Sequence, residues 1–167
     1  MKKALIVIDM QNDFVTGPLG NDECKNVVTN VVEKVKNFDG DIYFTQDTHQ
    51  ANYLTTQEGR NLPVEHCIEG TPGWEIIPEL KEYVQNVIKK NTFGSKELAN
   101  LIATSNYDSV ELVGVCTGIC VISNAMLIKA FSPEINITVD STCCACVTPK
   151  SHENALEAMK LCQIYVV

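Results

Sequence analysis

Cys120 stands where an apolar strand, Val110 to Val115, runs through Cys116-Thr117-Gly118 into an apolar helix, Ile119 to Phe131. A thiol at a helix N-terminus faces unpaired backbone N–H groups and the positive end of the helix dipole, and both favour thiolate over thiol. The same amides can bind the oxyanion that forms when sulfur attacks a carbonyl. Taken alone, a cysteine between strand and helix is more often a buried packing residue. The rest of the chain decides between the two.

Two other groups of residues carry chemistry. Asp9 ends the first apolar run and Lys90 ends the third. A carboxylate beside Cys120 can take the thiol proton, and an ammonium can hold both anions together. Lys89 adjoins Lys90, and periodicity alone does not say which of them faces inward. The second group is Asp47, His49 and His66. Residues two apart on an extended segment point the same way, so Asp47 and His49 can chelate one cation, with His66 returning from the far end of a long loop. Two imidazoles and one carboxylate leave coordination positions open, which suits Zn²⁺, Fe²⁺ or Mn²⁺ in a catalytic or ligand-orienting site rather than a closed structural one. His152 falls in the last helix, outside both groups, as a structural or exposed residue.

The elements that must position these residues alternate between strand and helix, the pattern of a parallel sheet covered on both faces. Strands are predicted at Lys3–Ile8, Asp41–Gln46, Asn86–Lys90, Val110–Val115, Ile135–Val139 and Gln163–Val167. Helices are predicted over Asn21–Phe38, around Glu79–Tyr83, from the Ser95 cap to Thr104, over Ile119–Phe131 and from Pro149 to Leu161. The segment from Asp47 to Trp74 is too long for an ordinary connection and reads as a functional loop. The expected architecture is α/β: one Rossmann-like three-layer α/β/α domain over residues 1–167 with a six-stranded parallel sheet. Ligands bind such sheets outside the carboxyl ends of the strands, where the strand order reverses. That edge is where Asp9, Asp47, Lys90 and Cys120 belong.

Composition narrows the partners. Thirteen basic against 21 acidic residues give a net charge of −8, which disfavours nucleic acid and anionic membranes and points to a small-molecule substrate. At 167 residues the chain can bury roughly 70% of its unfolded surface without disulfides or a structural metal. The N-terminal apolar run is too short for a signal sequence, and no stretch reaches about 18 apolar residues, so a cytoplasmic protein is expected. Its eight cysteines are then expected reduced. Cys143, Cys144 and Cys146 lack a second pair at zinc-ribbon spacing and read as small packing residues. Apolar helix surface is plentiful enough for a homo-oligomer, though patterning does not separate a core face from an interface.

With these residues in view, the chain resembles the isochorismatase-like cysteine hydrolases and, within them, the nicotinamidase/pyrazinamidase group. The carriers are Ile8-Asp9-Met10-Gln11-Asn12-Asp13-Phe14, Asp47-Thr48-His49, His66-Cys67-Ile68-Glu69-Gly70-Thr71-Pro72-Gly73, Val87-Ile88-Lys89-Lys90 with Phe93 and Ser95, and Gly114-Val115-Cys116-Thr117-Gly118-Ile119-Cys120-Val121. The resemblance implies that Cys120 is the nucleophile, Asp9 its proton partner and Lys90, rather than Lys89, the third catalytic member. It implies that Asp47, His49 and His66 hold one divalent metal ion to which the ring nitrogen of nicotinamide binds. It also implies a cis peptide at Val115–Cys116, an oxyanion hole from the amides of Cys116 and Cys120, and Phe14 as a wall for the substrate ring.

The chain departs from the family pattern at Gly118, where an acidic residue is usual, and at Leu62-Pro63-Val64, where a second aromatic often lies. The segment after Lys90 is short, and Phe93 is the candidate for the missing ring contact. These departures bear on substrate preference. Competing readings are a hydrolase of another small amide, a carbamoyl compound or an isochorismate-type vinyl ether, and a catalytically silent metal- or ligand-binding protein on the same fold.

Overall fold

The computed structural model describes residues 1–167. Six strands, β1 (Lys3–Ile8), β2 (Asp41–Asp47), β3 (Val87–Lys90), β4 (Ser109–Val115), β5 (Asn136–Ala145) and β6 (Tyr165–Val166), form one sheet in the order β3-β2-β1-β4-β5-β6. Every pairing is parallel. The chain works outward from β1 to β3, then returns to the other side of β1, so the strand order reverses between β1 and β4. Ile8 lies opposite Gly114 across that seam.

The central strands are apolar on both faces because both faces are covered. Alternate residues of β1 go to opposite layers. Ala4, Ile6 and Ile8 pack with Leu98 and Ile102 of α5 (Lys96–Thr104), Ala125 and Ile128 of α6 (Ile122–Phe131) and Met159 of α7 (Pro149–Leu161). Leu5 and Val7 pack with Cys24 of α2 (Asp22–Asn26), Val31 and Val35 of α3 (Val28–Asn37), and Leu80 in the 3₁₀ turn Pro78–Tyr83. Each such side chain, fully buried, contributes about 1.5–3 kcal/mol.

The structure agrees with the expected three-layer α/β/α arrangement and corrects its details. The expected helix Asn21–Phe38 divides at Val27, within a run of β-branched valines whose stiff side chains crowd the preceding turn. A short α1 (Asn12–Val15) and α4 (Gln57–Asn61) were not expected. β5 continues six residues beyond Val139, with a register shift opposite Leu112–Gly114, because β4 offers backbone partners as far as Val115. Cys143 and Cys144 therefore lie inside a strand and pack into opposite layers. β6 shrinks to two residues. All eight cysteines are free thiols, and no helix is long and apolar enough to cross a membrane.

Two local features set the end of β4. Gly114 has φ +112°, and a Cβ there would collide with the Ile8 carbonyl oxygen, so only glycine lets β1 and β4 approach at the point of reversal. The next peptide, Val115–Cys116, is cis.

On one face an ion cluster ties α3 to the sheet: Lys34 Nζ lies 2.6 Å from Glu111 Oε1 and 2.8 Å from Asp140 Oδ2. Burial opposes ionisation of Asp140, but Lys34 and the Thr142 donors outweigh it and hold its carboxyl below the usual value of 3.8. A depressed acid stabilises the fold above its unfolded pKa and loses that contribution as pH falls through its folded pKa. Asp140→Asn is expected to cost on the order of 2 kcal/mol at pH 7. In urea unfolding the gap from the parent protein should narrow once the pH drops below 3.8, and a constant gap from pH 7 to pH 3 would contradict the assignment.

Candidate active site

Strands β1, β2, β3 and β4 end on one edge, and each delivers one side chain. Asp9 follows β1 in the left-handed region, φ +47°. Aspartate tolerates this conformation better than most residues. Thr45 of β2 holds it there: its hydroxyl donates to Asp9 Oδ1 at 2.7 Å and accepts from the Asp9 amide at 3.1 Å. β3 alternates exposed and buried residues. Lys90 therefore points inward, while Lys89 points out to an ion pair with Glu69 at 2.7 Å.

The Lys90 ammonium is the meeting point. Nζ sits 2.6 Å from Asp9 Oδ2, 3.4 Å from Asp47 Oδ1, 3.6 Å from Cys120 Sγ and 3.0 Å from the Thr92 carbonyl. The contact with Oδ2 is an ion pair off the hydrogen-bond direction, so that oxygen lacks an aligned donor. Asp9 is fully buried, and Lys90 and Cys120 are each only 6% exposed. Burial raises the Asp9 carboxyl above its ordinary value despite the Lys90 charge. Burial and the Asp9 charge also push the Cys120 thiol up, whereas proximity to the two carboxylates raises Lys90 against its own desolvation.

Cys120 lies in a π-helical turn, Thr117–Val121, and not at the first turn of a regular helix as its sequence suggested. The Cys116 carbonyl accepts from both Ile119 N and Val121 N at 3.1 Å, a widened turn of the kind frequent at functional sites. The Cys116 N–H has no acceptor within the protein. Buried Asn124 of α6 braces the turn, donating to the Cys120 carbonyl at 2.8 Å and to the Phe93 carbonyl at 3.1 Å while accepting from Ser95 N at 2.9 Å. His152, outside both groups in the sequence reading, is half-buried with Nδ1 2.7 Å from the Thr117 hydroxyl.

Asp47, His49 and His66 are all buried, and their ligand atoms lie within 4.8 Å of one another. Asp47 Oδ2 is 3.0 Å from His49 Nε2 and 3.6 Å from His66 Nε2. His66 Nδ1 faces the Val64 carbonyl at 2.8 Å, which places the ring proton there and leaves Nε2 as a metal donor. Glu58, which sequence reasoning missed, brings a further carboxylate beside the two imidazoles from α4, with Oε1 3.6 Å and 3.8 Å from the two Nε2 atoms. Only the folding of the long loop brings it there. These residues fit a divalent cation by charge as well as by type. Asp9, Asp47 and Glu58 oppose Lys90 alone, and a doubly charged ion cancels the remaining excess.

The loop is held from beneath by residues of the first motif. Asp13 Oδ2 accepts from the Cys67 amide at 2.7 Å. Buried Gln11 accepts from the Asp47 amide at 2.7 Å, and its Nε2 donates to the Asp47 and Trp74 carbonyls at 2.8 Å each. Tyr53, fully buried, packs its ring 4.7 Å from His49 and 5.0 Å from His66. Phe14 reaches the site, its ring 5.5 Å from that of His66. Phe93 is 43% exposed and lines one cavity together with Lys90, its carbonyl held by Asn124.

Comparison with known proteins gives the chain a family. The Isochorismatase domain model matches residues 3–167. An uncharacterised isochorismatase family protein, PncA of Bacillus subtilis, is 30% identical over 93% of each chain. Among solved structures, the pyrazinamidase of Pyrococcus horikoshii in complex with zinc superposes with a TM-score of 0.86 at 29% identity, covering 100% of this chain and 99% of that one. Nicotinamidase/pyrazinamidase PncA of Bacillus subtilis superposes with a TM-score of 0.85 at 27% identity over the whole of both chains.

A metal titration tests the cation cluster. Metal-free protein is expected to take up about one equivalent of Zn²⁺ with these side chains intact. His49→Ala should hold little by elemental analysis, and Glu58→Gln should bind about tenfold or more weakly. Full metal content in His49→Ala would remove the assignment. With its length covered by one family model and its strand edge bearing this cluster, the chain belongs to the isochorismatase family and is a hydrolase of that family.

Proposed function

We propose that the protein hydrolyses nicotinamide and pyrazinamide-like amides to the acid and ammonia, with Cys120 as nucleophile, Asp9 as proton acceptor and Lys90 as the cation that balances them. The observation that carries this reading is the position of Lys90 Nζ, 2.6 Å from Asp9 and 3.6 Å from Cys120, beside a cluster of metal donors. The relatives named above as a zinc-bound pyrazinamidase and a nicotinamidase/pyrazinamidase support the substrate class.

The chemistry follows from the charges. Moving the thiol proton to Asp9 leaves the buried site with the same net charge, so the transfer needs no new solvation. The thiolate sulfur then bonds to the carboxamide carbon. The carbonyl oxygen, now negative, is received by the free Cys116 N–H and the Cys120 N–H, where each such donor is worth on the order of 100- to 1000-fold in rate. Asp9 returns the proton to nitrogen, the C–N bond breaks, and ammonia leaves a thioester. Water, giving its proton to Asp9, adds to the thioester carbon. Collapse releases the acid and returns the proton to sulfur. A divalent ion held by Asp47, His49 and His66 would act as a Lewis acid that binds and orients the ring nitrogen of the substrate, with Phe14 walling the ring. Zinc is the ion the Pyrococcus relative carries. Products of this kind would return nicotinamide to pyridine-nucleotide synthesis.

Ammonia release from nicotinamide and from pyrazinamide by the metal-loaded protein decides the matter. Cys120→Ala should lower kcat by about 1000-fold or more. Parent activity in that variant, or no hydrolysis of either amide by the unaltered protein, would end the proposal.

A further inference from the structure

The seam between β4 and β5 carries a second arrangement of sulfur, apart from Cys120. The ladder sets Gly114 opposite Cys144 and Val115 opposite Ala145, so the next step along both chains brings Cys116 beside Cys146. Adjacent strands run about 4.8 Å apart, within the roughly 4.4–6.8 Å Cα separation that a disulfide spans. The two sulfurs are neighbours, with Cys24 of α2 as the other sulfur near Cys116.

The three cysteines are not equivalent. One thiol proton on Cys116 cannot serve both neighbours, and the backbone favours Cys146. Besides the Cys116 thiol, Ser151 and the amides of Gly118 and Val147 face the Cys146 sulfur. Gly118 makes room for it, since an added Cβ would lie 3.3 Å from Cys146 Sγ. The Cys116 thiol, working against burial, and these donors pull Cys146 down to about 5. Cys24 has the Cys116 thiol and Asn21 in its favour, with the charges of Cys146 and Glu23 against it. Cys146 itself is only 3% exposed. It lines a surface pocket of about 340 Å³ with Ile119, Ile122, Val147 and Ala155. Cys120 is raised by burial and by the Asp9 charge and is the poorer nucleophile toward an external oxidant.

We propose that Cys116 and Cys146 form a peroxide-oxidisable dithiol, a modification site whose disulfide lies on the residue that offers its N–H to an oxyanion and so blocks catalysis there. The consequence for catalysis rests on the role proposed above for the Cys116 amide, and the dithiol itself does not. The Cys146 thiolate attacks one oxygen of hydrogen peroxide, the O–O bond breaks, and hydroxide leaves to become water with a proton from solvent. The resulting sulfenic acid is attacked by the Cys116 sulfur, which gives up its proton as the S–OH bond breaks and a second water departs. Two thiols thus lose two electrons to one peroxide. An external thiol reverses the change by exchange.

The experiment uses the full chain with Cys120→Ser, so that the nucleophile cannot contribute. After hydrogen peroxide treatment under native conditions, alkylation and trypsin digestion, mass spectrometry should find the peptide carrying Cys116 joined to the one carrying Cys146. The joined species should disappear with dithiothreitol and fall at least tenfold when Cys146→Ser is added. No cross-link, a link that survives Cys146→Ser, or a link to Cys24 would each overturn the dithiol. In protein retaining Cys120, peroxide should abolish amide hydrolysis at the rate of cross-linking, and Cys146→Ser alone should be inactivated at least tenfold more slowly. Equal inactivation rates would overturn the catalytic consequence. Reduced protein without amidase activity would overturn the proposed function and that consequence together, while the cross-link would still decide the dithiol.

Discussion

A single ammonium buried among anions organises this molecule. Lys90 Nζ is shared by Asp9, Asp47 and Cys120 with its side chain only 2% exposed. An unpaired charge in that position would cost several kcal/mol, and each anion around it would be as poorly placed without it. The cluster is therefore interdependent. The cation lets two carboxylates and a thiol crowd together, and they in turn keep the lysine charged. Because Asp47 belongs to both sets, the same ammonium links the thiol chemistry to the cation donors.

Holding such a cluster requires rigid surroundings, and the structure supplies them through buried polar side chains bonded to backbone. Gln11 fixes the end of β2, Asp13 fixes the backbone beside His66, and Asn124 fixes the turn that carries Cys120. Each satisfies groups that would otherwise be unpaired away from water, where a lost partner costs about 1–3 kcal/mol. Gly114 lets the two central strands close at the point where the strand order reverses. The chemistry-bearing residues come from different strand ends, and these fixings keep their separations constant.

Most of the architecture was legible in the chain. Continuous apolar runs separated by helical spacings dictate a sheet buried on both faces, and Asp9, Asp47 and Lys90 fall at strand ends by counting alone. The boundaries were less legible. β5 runs to Ala145 because β4 offers it backbone partners, which its own composition does not announce. The helix before β2 divides at Val27, where crowding of β-branched side chains outweighs an amphipathic repeat.

What the sequence determined by itself was which residues have the chemistry and which edge of the sheet they occupy, since hydrophobic periodicity sets strand and helix order and that order sets the edge. The resemblance had named Lys90 over Lys89 where periodicity could not, and tertiary structure alone decided that Glu58 and Tyr53 lie beside the imidazoles and that Cys116 lies beside Cys146. These are relations between segments distant along the chain. Distances of a few ångströms among such segments depend on strand register, loop closure and packing, and no local pattern of residue types encodes them.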